Sequence, residues 1–204
     1  MDLDFAHDAR AILDARFVAR EKGITGSRKV IRSSANGIRA LHRGEWEPAA
    51  ELIGEAGNLL AEITAALEAH PDILYAGFIS DAAKEYAEAR ITEALFRGRP
   101  IPGFAELGID PVPYLHGLGE AVGELRRRLL DLLRAGDVDK AQTTLDAMDQ
   151  IVDLLAEMDY PDGMTNGLRR TNDVSRALVE RSRSDLTATV VQERLRKDLG
   201  ERLT

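Results

Sequence analysis

The stretch "KEYAEA", residues 84–89, sets Glu85 and Glu88 three apart where nearly every neighbouring side chain is apolar. Advancing about 100° per residue, Asp81, Glu85 and Glu88 share one sector with Leu74, Phe78 and Leu95. Ile73, Ala76, Ile79, Ala83, Tyr86, Ala87 and Ala94 take up the rest of the circumference. A helix apolar almost all round belongs at the centre of a bundle. Carboxylates let into such a helix need a partner, because burying an unpaired charge is costly. A metal ion is one candidate.

The same helical spacing extends outward in both directions, with no sustained strand alternation anywhere. The chain is expected to be all-α, a single domain over 1–204 built from seven helices. The first runs from about Asp4 to Glu21 and ends at the "GITG" of Gly23–Gly26; the second, Ser27–Arg43, stops at Gly44. A third spans Glu47–Ala69 with Leu52, Ile53, Ala56, Leu59, Leu60, Ile63 and Leu67 on its core stripe. His70-Pro71 closes it, since proline disfavours helical geometry in the residue before it. The fourth, Asp72–Arg97, carries the opening stretch. Gly98–Pro113 holds four of the seven prolines and reads as the one long loop. The fifth helix is Tyr114–Ala135, and the sixth opens on Asp137 as N-cap and stops at Tyr160-Pro161. The seventh runs from about Met164 to Leu199.

At 204 residues the chain is long enough for one full core. It contains no cysteine, which excludes disulfides, thiolate zinc sites and cysteine nucleophiles. No apolar run has membrane-spanning length and Met1–Arg10 does not read as a signal peptide, so no membrane partner and a cytoplasmic location are expected. A formal charge of −8 argues against a generally basic nucleic-acid coat, though not against a local basic groove. Arg28, Arg32, Arg39 and Arg43 on the second helix form such a stripe, suited to tracking phosphates or to ion pairing within or between subunits. Arg169, Arg176 and Arg183 make a second ladder on the last helix, read as an interface.

In the fifth helix Glu120 and Glu124 lie opposite the apolar stripe of Leu115, Leu118, Val122, Leu125, Leu129 and Leu132, beside Gly117 and Gly123. Each mid-helix glycine costs about 1 kcal/mol relative to alanine, which hints at close approach by another backbone or a ligand. Two helices, each with a carboxylate pair on one face, suit a hard divalent cation, Mg²⁺ or Mn²⁺. Histidine and cysteine are missing from these positions, which argues against zinc. The same pairs also fit plain solvated acids, and Glu51 and Glu55 form one that reads as surface.

Four segments carry a resemblance: "AREKGITGSRKVIRSSANGIRALHRGEW" from Ala19, "KEYAEA", "PYLHGLGEAVGELRRRLLDLLRAGD" from Pro113, and "YPDGMTNGLRRTNDVSRALVERSRSDLT" from Tyr160. Together they resemble the translin/Trax family across nearly the whole length. The resemblance implies a seven-helix domain that assembles into closed oligomers, typically octameric shells. Translin-type subunits of that family bind single-stranded nucleic acid, and Trax-type subunits carry a Mg²⁺-dependent endoribonuclease site of acidic residues. From Gly44 to Ala83 this chain has no lysine or arginine, unlike the translin pattern. The acidic positions of the Trax pattern are occupied, by Glu85, Glu88, Glu120 and Glu124. Animal Trax has aspartate at the position of Glu120. A Trax-like archaeal homo-oligomer is the closest branch, and the expected activity is Mg²⁺-dependent cleavage of single-stranded RNA. The alternatives are a non-catalytic single-strand-binding oligomer and an all-α nucleoside triphosphate pyrophosphohydrolase. The latter places Glu-x-x-Glu before Glu-x-x-Asp, whereas the second pair here is Glu120-x-x-x-Glu124.

Overall fold

A computed structural model of the chain describes residues 5–202, with side chains through residue 199. The helix start read at Asp4, like the outermost residues of the 1–204 span, lies outside the described residues. Among those residues every regular element is an α-helix, as the periodicity requires. The elements are α1 (Phe5–His42), α2 (Trp46–Ala66), α3 (Pro71–Leu74), α4 (Gly77–Phe96), α5 (Phe104–Leu107), α6 (Pro111–Arg134), α7 (Val138–Ala156), α8 (Asp162–Thr165) and α9 (Leu168–Arg202). They fall into two compact units, Met1–Gly117 and Leu118–Thr204.

In the first unit α1 packs against α2 and α4. The core joins Val30 to Ala56, Leu60, Ile63 and Leu67 of the α2 segment and to Ile79, Ala82 and Ala83 of α4. The break read at "GITG" does not occur: α1 is one helix of 38 residues that passes straight through it. The reason is packing. A Cβ at Gly23 would come within 2.9 Å of Phe78 Cε2, one at Gly26 would collide with Ile63 Cγ2, and one at Gly37 would lie 2.5 Å from Ile53 Cγ1. These glycines let α1 approach its neighbours closely, and the buried contact offsets their poor helix propensity. Nothing in the periodicity distinguishes this use of glycine from a stop signal.

The other boundaries shift by shorter pieces. The predicted fourth helix is split by an extended Ala76 into α3 and α4. The long loop contains α5, and the seventh helix is preceded by α8, from which Asn166 and Gly167, both at positive φ, separate it. The turn after α4 is sealed by Arg97, which donates to the Trp46 carbonyl at 3.0 Å and lies over the indole ring, 5.1 Å from its centroid.

In the second unit α7 packs against α9. Leu145, Met148, Val152 and Leu155 are buried, as are Leu168, Val179 and Leu186 of α9. Asp137 caps α7 by accepting from the Lys140 amide, the role its sequence position indicates. On α6, Gly119 rests against Thr171, Leu155 and Ser175, whose hydroxyl donates to the Gly119 carbonyl at 3.0 Å. Arg126 donates to Ser182 and to Asp185. Arg169 pairs with Asp159 and Arg183 with Asp149, so two rungs of the α9 ladder serve intramolecular ion pairs.

Candidate metal and nucleic-acid site

The opening stretch sits in the middle of α4, where Ala83, Ala87, Ala89 and Ile91 are buried around it. Glu88 is itself buried, at 9% exposure, and Glu85 is half-buried. Ala87 and Ala89 flank Glu88, and beside them Gly117 lets the start of α6 come close. A Cβ at Gly117 would meet the Lys84 carbonyl oxygen at 2.6 Å and the Glu88 amide nitrogen at 2.9 Å. The glycine read as a sign of backbone approach has that role. Gly123 does not, since its nearest outside neighbour would be Leu178 at 3.9 Å.

Glu120 follows Gly117 by three residues on the same unbroken helix. One carboxylate oxygen each from Glu85, Glu88 and Glu120 belongs to a group whose members all lie within 4.8 Å of one another. Glu124, one turn further along α6 and half-buried, is not in that group. Arg128 follows Glu124 by four residues, and burial lowers the pKa of its guanidinium. Lys84 Nζ lies 3.6 Å from Glu85 Oε1. At such separations two ionised carboxylates repel by roughly 3 kcal/mol at an effective dielectric near 20. Lys84 offsets part of this. The donor set is oxygen only, which fits Mg²⁺ or Mn²⁺ and does not fit a soft metal.

Of the predicted stripe, Arg28, Arg32 and Arg39 are exposed along α1, and Arg43 is exposed in the turn just after it. Two are engaged locally: Arg39 donates to Asn36 at 2.7 Å, and Arg43 grips Glu45 through two bonds of 2.9 and 2.6 Å. That clasp raises the Arg43 pKa and lowers that of Glu45, the hydrogen bond being the main cause. Glu93 was not singled out by the sequence reading. It is 7% exposed and accepts from Arg90 at 3.0 Å, with Arg97 at 3.1 Å. The available signal was the spacing Arg90-x-x-Glu93-x-x-x-Arg97, which puts all three on one face.

No protein-family model matches the chain. An uncharacterized protein of Methanocaldococcus jannaschii is 26% identical over 182 residues, 88% of this chain and 80% of that protein. Among solved structures, AfC3PO in a complex with duplex RNA is 31% identical with a TM-score of 0.85, covering 92% of this chain and 97% of that one. AfC3PO solved separately gives 32% identity, the same TM-score of 0.85 and the same coverage of 92% and 97%. Apo-NeC3PO, at 19% identity, shares the fold, with a TM-score of 0.84 over 93% of this chain and 99% of that one. With identity above 30% to AfC3PO over nearly its entire length and the same all-α architecture, the chain belongs to the translin/Trax family.

Proposed function

We propose that this protein binds RNA as a closed homo-oligomer, octameric in the simplest case, and cleaves single-stranded RNA in a Mg²⁺-dependent reaction. The observation that carries the reading is the grouping of Glu85, Glu88 and Glu120 within 4.8 Å of one another. RNA as the ligand is supported by AfC3PO, a relative solved with duplex RNA.

Glu85, Glu88 and Glu120 would hold the ion, with Mn²⁺ as its substitute. When bound, such an ion acidifies water and neutralises charge that gathers on phosphate oxygens. The protein supplies the rest. Glu88, buried in α4, fixes one oxygen of the site in place. Glu124, outside the close group, accepts the proton of the attacking water. Arg28, Arg32 and Arg39 meet the phosphates of the strand from the exposed face of α1.

The test incubates purified protein with labelled single-stranded and duplex RNA, with and without Mg²⁺, and compares Glu85→Gln/Glu88→Gln. Mg²⁺-dependent products from the single strand are expected of the wild type and none from the double variant. Melting should report the same loss: Mg²⁺ raises the wild-type Tm, because an ion bound only by the folded state stabilises it, and leaves the variant unmoved. Full activity in the variant sinks the assignment. RNA retention without any product would leave a binding shell alone.

A further inference from the structure

A cavity of about 290 Å³ lies at the C-terminal end of α4, lined by Arg90, Glu93, Arg97, Arg99, Pro102 and Glu106. At about 100° per residue, the face carrying Arg90, Glu93 and Arg97 is well over a quarter turn from the one carrying Glu85 and Glu88. The cavity is therefore separate from the acidic group.

Its floor has an excess of positive charge. Glu93 takes both Arg90 and Arg97, at 3.0 and 3.1 Å, and one carboxylate neutralises only one of them. Arg97 is held in place by the Trp46 carbonyl and ring. Arg90 has no such second anchor. Gly98, at φ 63°, turns the chain so that the Arg99 amide donates back to Ala94 at 2.9 Å, which brings Arg99 to the rim. The Arg99 side chain is exposed and has no hydrogen bond or ion pair among the described residues. Glu106 is the one acid on the rim, so the lining as a whole still carries net positive charge in a protein of formal charge −8.

The clamp on Trp46 accounts for Arg97 but not for Arg90 and Arg99. Planar guanidinium forks match phosphate oxygens. The volume is near the lower end of small-ligand sites, about 300 Å³, the scale of one nucleotide and not of a strand. Trp46 is also three residues from Arg43, where the exposed arginine row of α1 ends.

We propose that this cavity binds the phosphate group of a nucleotide, met by Arg90 and Arg99 above a base formed by Glu93 and Arg97. The phosphate belongs either to a free nucleotide or to the end of an RNA chain; the second case rests on the RNA-binding reading above, the first does not.

Trp46 is the only tryptophan, so its fluorescence reports on the cation that covers it. The full chain is titrated without Mg²⁺, which keeps cleavage out of the readout. The ligands are inorganic phosphate, adenosine monophosphate, adenosine, and a single-stranded oligoribonucleotide with or without a terminal phosphate. Adenosine monophosphate is expected to change Trp46 emission and adenosine to leave it unchanged. Arg90→Gln/Arg99→Glu should weaken the monophosphate at least tenfold, while Arg20→Glu, a charge control on exposed α1, should not. A terminally phosphorylated oligomer that binds tenfold tighter than its hydroxyl form assigns the site to RNA ends. Equal binding of the two oligomers with retained monophosphate binding assigns it to free nucleotides. Adenosine binding as well as its monophosphate, or an affinity indifferent to the double substitution, overturns the proposal. Neither result bears on Mg²⁺-dependent cleavage, which is assayed separately.

Discussion

Gly26 and Gly54 are both helical glycines, and their surroundings give them opposite signs. A methyl at Gly26 meets Ile63 Cγ2, a branch methyl rooted at a Cβ only 3.4 Å from the new atom, so the clash cannot be relieved by swinging a flexible tip. Overpacking costs about 1–3 kcal/mol, more than the ~1 kcal/mol that alanine gains in helix propensity. Gly26→Ala is expected to lower the denaturant midpoint, and Ile63→Val should recover part of the loss in a double-mutant cycle. A Cβ at Gly54 meets nothing within 4 Å on an exposed face of α2. Gly54→Ala is therefore expected to raise the midpoint by up to about 1 kcal/mol.

Tyr86 makes a prediction in alkali. Its hydroxyl lies against Gly57, and burial raises its pKa, with Arg90 opposing and Glu93 and Glu106 adding smaller effects. The folded state thus holds the phenolic proton more tightly than the unfolded chain does. Its contribution is full below the unfolded value of about 10 and is lost as pH rises through the higher folded value. Tyr86→Phe should flatten that alkaline fall in Tm.

Among the elements, α1 shows what a sequence conveys and what it hides. The apolar period that identifies a helix was plain on both sides of Gly23–Gly26. The decision to join the halves was not, because it depends on Ile63 and Phe78 in other helices. The same limit applies to Gly119, whose close neighbours Thr171, Leu155 and Ser175 are distant in the chain. Local chemistry was legible: Asp137 is an N-cap both by residue type and by its bond to the Lys140 amide. Backbone amides of residues 23–27 should exchange as slowly as those of Val30–Ile38, and rapid exchange would mean a hinge. Asp137→Ala should lower Tm near neutrality. The Asp137 pKa is lowered, first by the Lys140 side chain and then by the Lys140 amide. Its contribution is present above the ordinary value of 3.8 and fades as pH falls through the folded one. Wild type and variant should therefore converge in acid.

For the whole molecule, the sequence indicated the candidate acids because carboxylates at helical spacing on apolar helices stand out, and the family resemblance selected which pairs to join. Glu124, the acid expected to stay off the ion and take a proton, does stand outside the close group. The sequence could not indicate that Glu93 would be as buried as Glu88, which depends on tertiary neighbours. Phe5, Ile12, Leu13 and Phe17 are each at least 59% exposed along the start of α1. In the proposed oligomer, an apolar stripe of this kind would be covered by another copy of the chain. Ile12→Asp/Phe17→Asp is expected to reduce the mass found by light scattering, and an unchanged mass would place the subunit contacts elsewhere.

That stripe lies on an exposed rod of helix, tied near its inner end by Arg16, whose Nε lies 3.6 Å from Asp72 Oδ2. Every residue from Phe5 to Val18 is exposed, and the first one sheltered by the protein is Ala19. Fourteen residues extend about 21 Å, near the length at which a helix in water barely persists without support. In dilute solution the rod should fray, and trypsin should clip it at Arg10. Where neighbouring copies sheathe it, the same bond should outlast the digestion, so the lifetime of one peptide bond becomes a gauge of assembly.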